Sequence, residues 1–385
     1  MSVKESGARV HEIRSGSLRQ QTPAPLLVTQ KGQLPYLPVP LAQRATPQGA
    51  TRLHSLPISD WHTLNSNNNL RGTDLFRHLN LSAKSATCSQ DVILFLTLRT
   101  VGTDGFLSDT AGKKEVVSFV CDGSQRLRIG CKDVADLAVA MKTDFCVSLS
   151  DGMPLYNSVN ERVLQRRANR NEKLQKSFIR CAQEGGVNGV VIAVQGGDCP
   201  STRRRVAEGA ARAATLCNAA AFAIEGLYAG ESAETRFKCV EAVTRAVHGT
   251  GLPVLLLGGS GAPWEVLRAV AAGVDIVESD YPFEAAENGL ALQLTSAKRP
   301  LAIRERQNTL CTEPIARDCG CACCKGGAVS VGYLRHLLEV REMSGVSLLA
   351  AHNLWQFLCW FHALREAVDH QRLDSFAARF ATRPY

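Results

Sequence analysis

The sequence predicts an α/β protein, an irregular (β/α)8 barrel of the TIM type with a C-terminal zinc-binding lobe and terminal helices. Two patterns in the chain point to the barrel and one to the lobe. Between about residues 91 and 283, short apolar runs alternate with longer stretches of helical spacing. Near-continuous apolar strands joined by helices require a parallel sheet covered on both faces. At least six such units follow one another, which favours closure into a barrel over an open sheet. Of the 14 cysteines, five crowd between Cys311 and Cys324 while the other nine are scattered. Crowding of that kind indicates a metal site, and the scattered remainder indicates reduced thiols without disulfides.

Three regions follow in order. Residues 1–90 read as N-terminal strands and loops leading into the barrel, because prolines at 23, 25, 35, 38, 40, 47 and 57 break any long helix. Residues 91–300 form the barrel body. Its expected strands are Asp91–Leu98, Val116–Cys121, Phe145–Leu149, Val190–Val194, Ala221–Ile224, Pro253–Leu257 and Asp275–Val277, with helices near 132–142, 160–183, 200–217, 231–248 and 263–272. In the second helix Leu164, Ala168, Leu174, Phe178 and Ala182 share one side, leaving Arg166, Arg167, Arg170, Lys173 and Lys176 on the rest. Residues 301–385 hold the zinc-binding lobe and the C-terminal helices.

Chemistry in a barrel sits where strands end. The ends here read Ser150-Asp151-Gly152, Gln195-Gly196-Gly197, Gly226 to Glu231, Gly258-Gly259-Ser260-Gly261 and Glu278-Ser279-Asp280. Their glycines allow backbone amides to approach a flat or anionic ligand, and they serve ordinary tight turns equally well.

Cys319, Cys321 and Cys324 place three thiolates on one loop, so tetrahedral zinc needs a fourth ligand. His352 is the best candidate, with His336 and His362 weaker; Cys323 is an alternative ligand and Cys311 a spare thiol. Four protein ligands make a closed site, so one structural Zn2+ is expected. After it, residues 354–361 are apolar almost all the way round a helix, which requires burial in the lobe or against a partner chain.

The net charge of +8 leans toward a polyanionic partner. No run approaches the roughly 20 apolar residues of a membrane span, and the first thirty residues lack a signal peptide's apolar core. A folded, soluble, cytoplasmic protein is the expectation.

The barrel followed by C-x-C-x2-C, a helix and His352-Asn353-Leu354 resembles the tRNA-guanine transglycosylase, or queuine tRNA-ribosyltransferase, family over nearly the whole chain. Arg14-Ser15-Gly16-Ser17-Leu18 with Gln21-Thr22-Pro23 looks like the family's opening strands. Val194-Gln195-Gly196-Gly197 matches its V-Q-G-G, Leu227-Tyr228-Ala229-Gly230-Glu231 is similar to its L-S-V-G-E, and Gly258 to Val266 is similar to its G-x-G-x-P-E-D. The resemblance implies a partner subunit, tRNA as ligand and dimerisation largely through the zinc lobe.

Departures from the pattern decide the expected role. Against the family's D-x-F-D-C-V-x-P-T-R-x-A-R-x-G, Glu278 stands in the nucleophile's place, and Glu284 and Glu287 replace two arginines. Glutamate is one methylene longer than aspartate, and a misplacement of about 1 Å costs on the order of a hundredfold in rate. Thr100 to Phe106 does not match D-S-G-G-F-Q, and Ser150 stands where catalytic members carry the first acid of D-E-C.

This pattern resembles the family's accessory subunit, a non-catalytic paralogue that pairs with a catalytic subunit. The resemblance implies vestigial positions at Glu278, Ser150, Gln195, Gly196 and Gly197, and leaves a nuclear site or the mitochondrial outer surface open. Arg166, Arg167, Arg170, Lys173, Arg203, Arg204 and Arg205 are the candidate contacts to the tRNA backbone. Two alternatives stand beside it: an active homodimer using Glu278 as nucleophile with Asp104 or Asp109 as base, and a zinc-stabilised barrel that only binds tRNA or protein.

Overall fold

The computed structural model describes residues 7–48, 50, 52–60, 92–98, 116–121, 125–152, 161–305, 307, 309–327 and 329–380. In chain order its strands are β1 (Glu12–Ser15), β2 (Leu18–Gln21), β3 (Ala24–Val28), β4 (Arg52–Pro57), β5 (Val92–Thr97), β6 (Val116–Cys121), β7 (Gln125–Gly130), β8 (Phe145–Val147), β9 (Val190–Val194), β10 (Ala221–Ile224), β11 (Val254–Leu256), β12 (Ile276–Ser279), β13 (Leu290–Gln293) and β14 (Lys298–Ala302). Eight of them, β3, β4, β5, β8, β9, β10, β11 and β12, close in that order into a barrel, every neighbouring pair parallel, with β12 returning to β3.

Side chains alternate along each strand, so one set fills the barrel and the other meets the helices. Leu26, Leu53, Ile93, Phe95, Val147, Val191, Ala223, Leu255 and Ile276 form the interior cluster. Leu94, Leu96, Ile192, Val194, Phe222, Ile224 and Val277 belong to the outer core. Carried one step further along the strands, the same alternation brings Ser55, Thr97, Gln195, Glu225 and Glu278 to inward positions at the C-terminal rim, all buried. The floor is closed by the β1–β2 ribbon: Ile13 joins the interior cluster, the Ser15 hydroxyl donates to Asp144, and Arg9 donates to Asp275 at 3.1 and 3.3 Å.

Two expectations about the barrel change. Its wall starts well before residue 91, since β3 and β4 lie within residues 24–57. Val116–Cys121 is not a wall strand; it pairs antiparallel with β7 in a separate two-stranded ribbon.

In the C-terminal lobe, helix Met343–Asp369 packs on the β13–β14 hairpin and on the short helix Tyr281–Glu287. Asn353 fixes that junction, accepting from Leu292 N at 2.8 Å and donating to Leu290 O and Pro282 O. Of residues 354–361, Leu354, Gln356, Phe357, Trp360 and Phe361 are buried, with Trp360 packed on Phe376 and Phe380, while Trp355, Leu358 and Cys359 are only partly buried. One side of this helix is thus covered by its own chain, and Leu358 and Cys359 on another side line a pocket beside β3 and β4. Among the described residues, no helix is long and apolar enough to cross a membrane.

Candidate active-site face and zinc centre

The rim cluster consists of acceptors with few donors. Glu278, at the end of β12, accepts from Gly258 N at 2.8 Å, and its other oxygen has no hydrogen-bond partner among the described residues. The Ser150 hydroxyl donates to Glu225, and Gln195 Nε2 donates to Ser150 at 3.4 Å. Burial pushes the Glu278 carboxyl up to about 7, against the opposing pull of the Gly258 amide and the nearby Ser55 hydroxyl, and Glu225 and Asp280 add to the rise. Asp280 is pushed up to about 6 by burial, with Glu284 contributing. Glu278 therefore holds its proton well above the usual carboxylate range and, at 2% exposure, is closed to solvent.

Beside it, Tyr228 adopts a left-handed backbone (φ 66°) and lays its ring under the Arg236 guanidinium, 3.9 Å from the centroid. Glu231 accepts from Tyr228 N and Ala229 N and pairs with Arg236, which also meets Glu265 at 3.0 Å. The Ser260 hydroxyl closes this network onto Glu265. A Cβ on Gly259 would lie 2.5 Å from the Tyr228 ring, so glycine there makes room for the chain's own tyrosine. Sequence reading singled out Glu231 but missed Glu225 and Arg236. The signal for Glu225 was present, an acid ending the apolar run Ala221–Ile224.

Arg203 departs most from its expected role. It is fully buried and donates to Gly197 O at 2.6 Å, Val194 O at 3.2 Å and Glu225 O at 2.9 Å. Its guanidinium thus plugs the ends of β9 and β10 and cannot meet a phosphate. A Cβ on Gly196 would lie 2.5 Å from Arg203 Cγ, so this glycine serves internal packing.

Arg167 and Arg170 are also turned inward, holding the buried Asp151 at 3.6 and 2.9 Å. Arg205 pairs with Glu172 at 3.5 Å, whereas Arg166, Lys173 and Arg204 are exposed. Asp104 and Asp109 lie outside the described residues.

Cys319, Cys321, Cys324 and His352, all buried, bring their ligand atoms within 4.8 Å of one another. The three sulfurs stand 3.7, 3.5 and 3.4 Å from His352 Nδ1. Tetrahedral zinc with ordinary Zn–S and Zn–N bonds needs a sulfur–nitrogen separation of about 3.6 Å, so the set fits the ion. His352 Nε2 lies 2.8 Å from Leu292 O, which fixes the tautomer that turns Nδ1 to the metal. Cys323 is buried outside this set, and His336 and His362 stand away from it. All four positions are filled by protein, so the zinc site is structural.

An eight-stranded parallel barrel with a Cys3His zinc lobe docked beside its last strand defines the class of protein. A family model described as queuine tRNA-ribosyltransferase matches residues 5–385, and the chain belongs to that family. It is similar to the queuine tRNA-ribosyltransferase of Lachnoclostridium phytofermentans, 33% identical over 161 residues, covering 40% of this chain and 39% of that protein. The enzymes of the same name from Fusobacterium nucleatum (27% over 214 residues; 56% and 55% covered) and Thermosynechococcus vestitus (29% over 233; 60% and 58%) are also similar. The chain thus spans about half the length of the curated relatives it matches, or less.

Proposed function

We propose that this chain is the non-catalytic accessory subunit of a heterodimeric queuine tRNA-ribosyltransferase. Its partner, the catalytic subunit, exchanges the wobble guanine for queuine in tRNAs with G-U-N anticodons, and this chain supports that exchange through dimerisation and tRNA positioning. The observation that carries the reading is the state of Glu278. An acid that attacks a ribose carbon must be ionised and within contact of the substrate. Glu278 occupies the nucleophile's place, yet it is 2% exposed, held by a backbone amide and raised to about 7. Ser150, where the resemblance implies a base-reading acid, is spent on Glu225.

An apolar face on the zinc lobe supports the dimer. Tyr333, Val340 and Met343 are exposed there, and a groove of about 590 Å3 between the lobe and the segment after β3 sets apolar Tyr36, Leu338, Met343 and Val346 beside the charged Arg304, Arg341 and Glu342. Exposed apolar side chains on this scale fit a permanent partner. A cytoplasmic location, including the mitochondrial outer surface, belongs to the same reading.

Base exchange on a G-U-N tRNA, measured with this chain alone, with a catalytic subunit alone and with both, tests it. Exchange only in the mixture is the expected result. Exchange by this chain alone would make Glu278 or a neighbouring acid the nucleophile and reject the accessory role.

A further inference from the structure

We infer that an exposed basic stripe on helix Glu161–Gly185 is a phosphate track that leads tRNA along the outer wall of the barrel to its C-terminal rim. The inference rests on the tRNA-positioning role above and gives it a surface. Arg162, Arg166, Asn169, Lys173, Lys176 and Arg180 are all exposed, at successive intervals of four, three, four, three and four. On a helix of 3.6 residues per turn those intervals make one straight stripe, about 27 Å long. Its opposite side, with Leu164, Ala168, Leu174 and Phe178, is buried in the core.

Most of the charge on the stripe is uncompensated. A solvated helix face ordinarily interleaves acids with bases three and four apart, since like charges at those spacings repel. From Arg162 to Arg180 this stripe contains no acid, and Glu184 marks its lower end. Arg162, Arg166, Lys173 and Lys176 make no ion pair among the described residues. The flanking Glu172 is already held by Arg205 of the next helix at 3.5 Å. Cations spaced along one line fit a chain of phosphates. A membrane surface is the poorer fit, because no exposed large apolar side chain lies on this helix to insert among lipids.

The helix is placed so that the stripe reaches the rim. Asn171 is pinned to the backbone of Asp151, just beyond β8, by bonds of 2.6 and 3.0 Å. Gln175 donates to Ala193 O in β9 at 2.6 Å. Residue 171 is therefore level with the end of the barrel wall, and residues 161–170 project about 15 Å past it. Arg162 and Arg166 stand on that overhang, while Lys173, Lys176 and Arg180 lie along the wall. Arg167 and Arg170, locked onto Asp151, brace the overhang from its other side. Recognition of this kind reads backbone and shape, not bases.

The test measures binding of an unmodified G-U-N tRNA transcript between 50 and 200 mM salt, by this chain alone and by its complex with the catalytic subunit. The variants are R166Q/K173Q/K176Q and, separately, R162Q/R166Q on the overhang and K173Q/K176Q on the wall, with thermal unfolding as the control for folding. The triple variant is expected to flatten the slope of log K against log salt by roughly 2 to 3, with each pair giving part of that loss and the unfolding temperature unchanged. An unchanged slope and affinity in all three variants overturns the track. The two proposals fail separately. A flattened slope with no exchange in any mixture keeps the track and removes the accessory reading; exchange in the mixture with an unchanged slope does the reverse.

Discussion

Replacing Glu278 with glutamine separates a buried remnant from a working acid. Its carboxyl moves from 4.5 to about 7 in the folded chain, with desolvation the largest cause. Between those values the folded state holds a proton that the unfolded state has released. Stability from this group is therefore fully present below about pH 4.5 and is lost as pH rises through about 7. At about 1.4 kcal/mol per unit, the ionised carboxylate costs about 3 kcal/mol at pH 8. A glutamine amide at this position keeps an acceptor for Gly258 N and carries no charge, so it imitates the protonated acid at every pH. The E278Q variant is expected to match the parent near pH 4.5 and to exceed it by about 3 kcal/mol at pH 8, read as urea unfolding of both proteins across that range. Base exchange by the mixed subunits should be unaffected. A stability difference that is flat with pH, or a destabilised variant at pH 8, would refute the electrostatic reasoning; loss of exchange would refute the non-catalytic role.

Three further outcomes are expected. Cys321→Ser removes a zinc ligand, so metal content measured by mass spectrometry should fall from one zinc per chain to near zero and the unfolding temperature should drop by many degrees. Gly196→Ala drives a Cβ into Arg203 and should destabilise by about 1–3 kcal/mol in denaturant unfolding, whereas the same change at exposed Gly185, where nothing crowds the new methyl, should be neutral or slightly stabilising. Phe357→Ala should cost about 3–5 kcal/mol in the isolated chain, while Tyr333→Ala should leave its stability intact and weaken only the heterodimer, as read by analytical ultracentrifugation.

The wall strands with continuous apolar runs were legible in the sequence: Val190–Val194 and Ala221–Ile224 stand in the structure with the expected bounds, as does helix 200–217. Period and composition are local properties, and these elements are specified locally. The closing strands were not legible, because β3 (APLLV) and β4 (RLHSLP) contain proline and a polar pair, and they become wall only by pairing across the barrel with β12 and β5. The apolar run Val116–Cys121 failed for the opposite reason. Its composition suits a wall strand, but its partner is the adjacent β7, and a short apolar run alone does not choose between a hairpin and a barrel.

The site divides in the same way. The zinc ligands could be read because a thiolate cluster has almost no alternative use, and the structure closes them to metal-binding distance. The basic residues could not, since arginine is equally suited to a phosphate and to a cluster of carbonyls. Of the three consecutive arginines at 203–205, one is buried on backbone oxygens, one is exposed beside Glu208, and one is paired with Glu172. Helical phase explains the difference: 203 faces the strand ends and 204 faces water, with 205 turned to the neighbouring helix. Read by phase instead of by run, the same rule selects Arg162 and Lys176 together with Arg166 and Lys173. It sets aside Arg167 and Arg170, whose guanidinium groups are committed to Asp151. Charge that faces water along one line is available to a polyanion; charge that meets a buried carboxylate or a row of carbonyls holds the rim together.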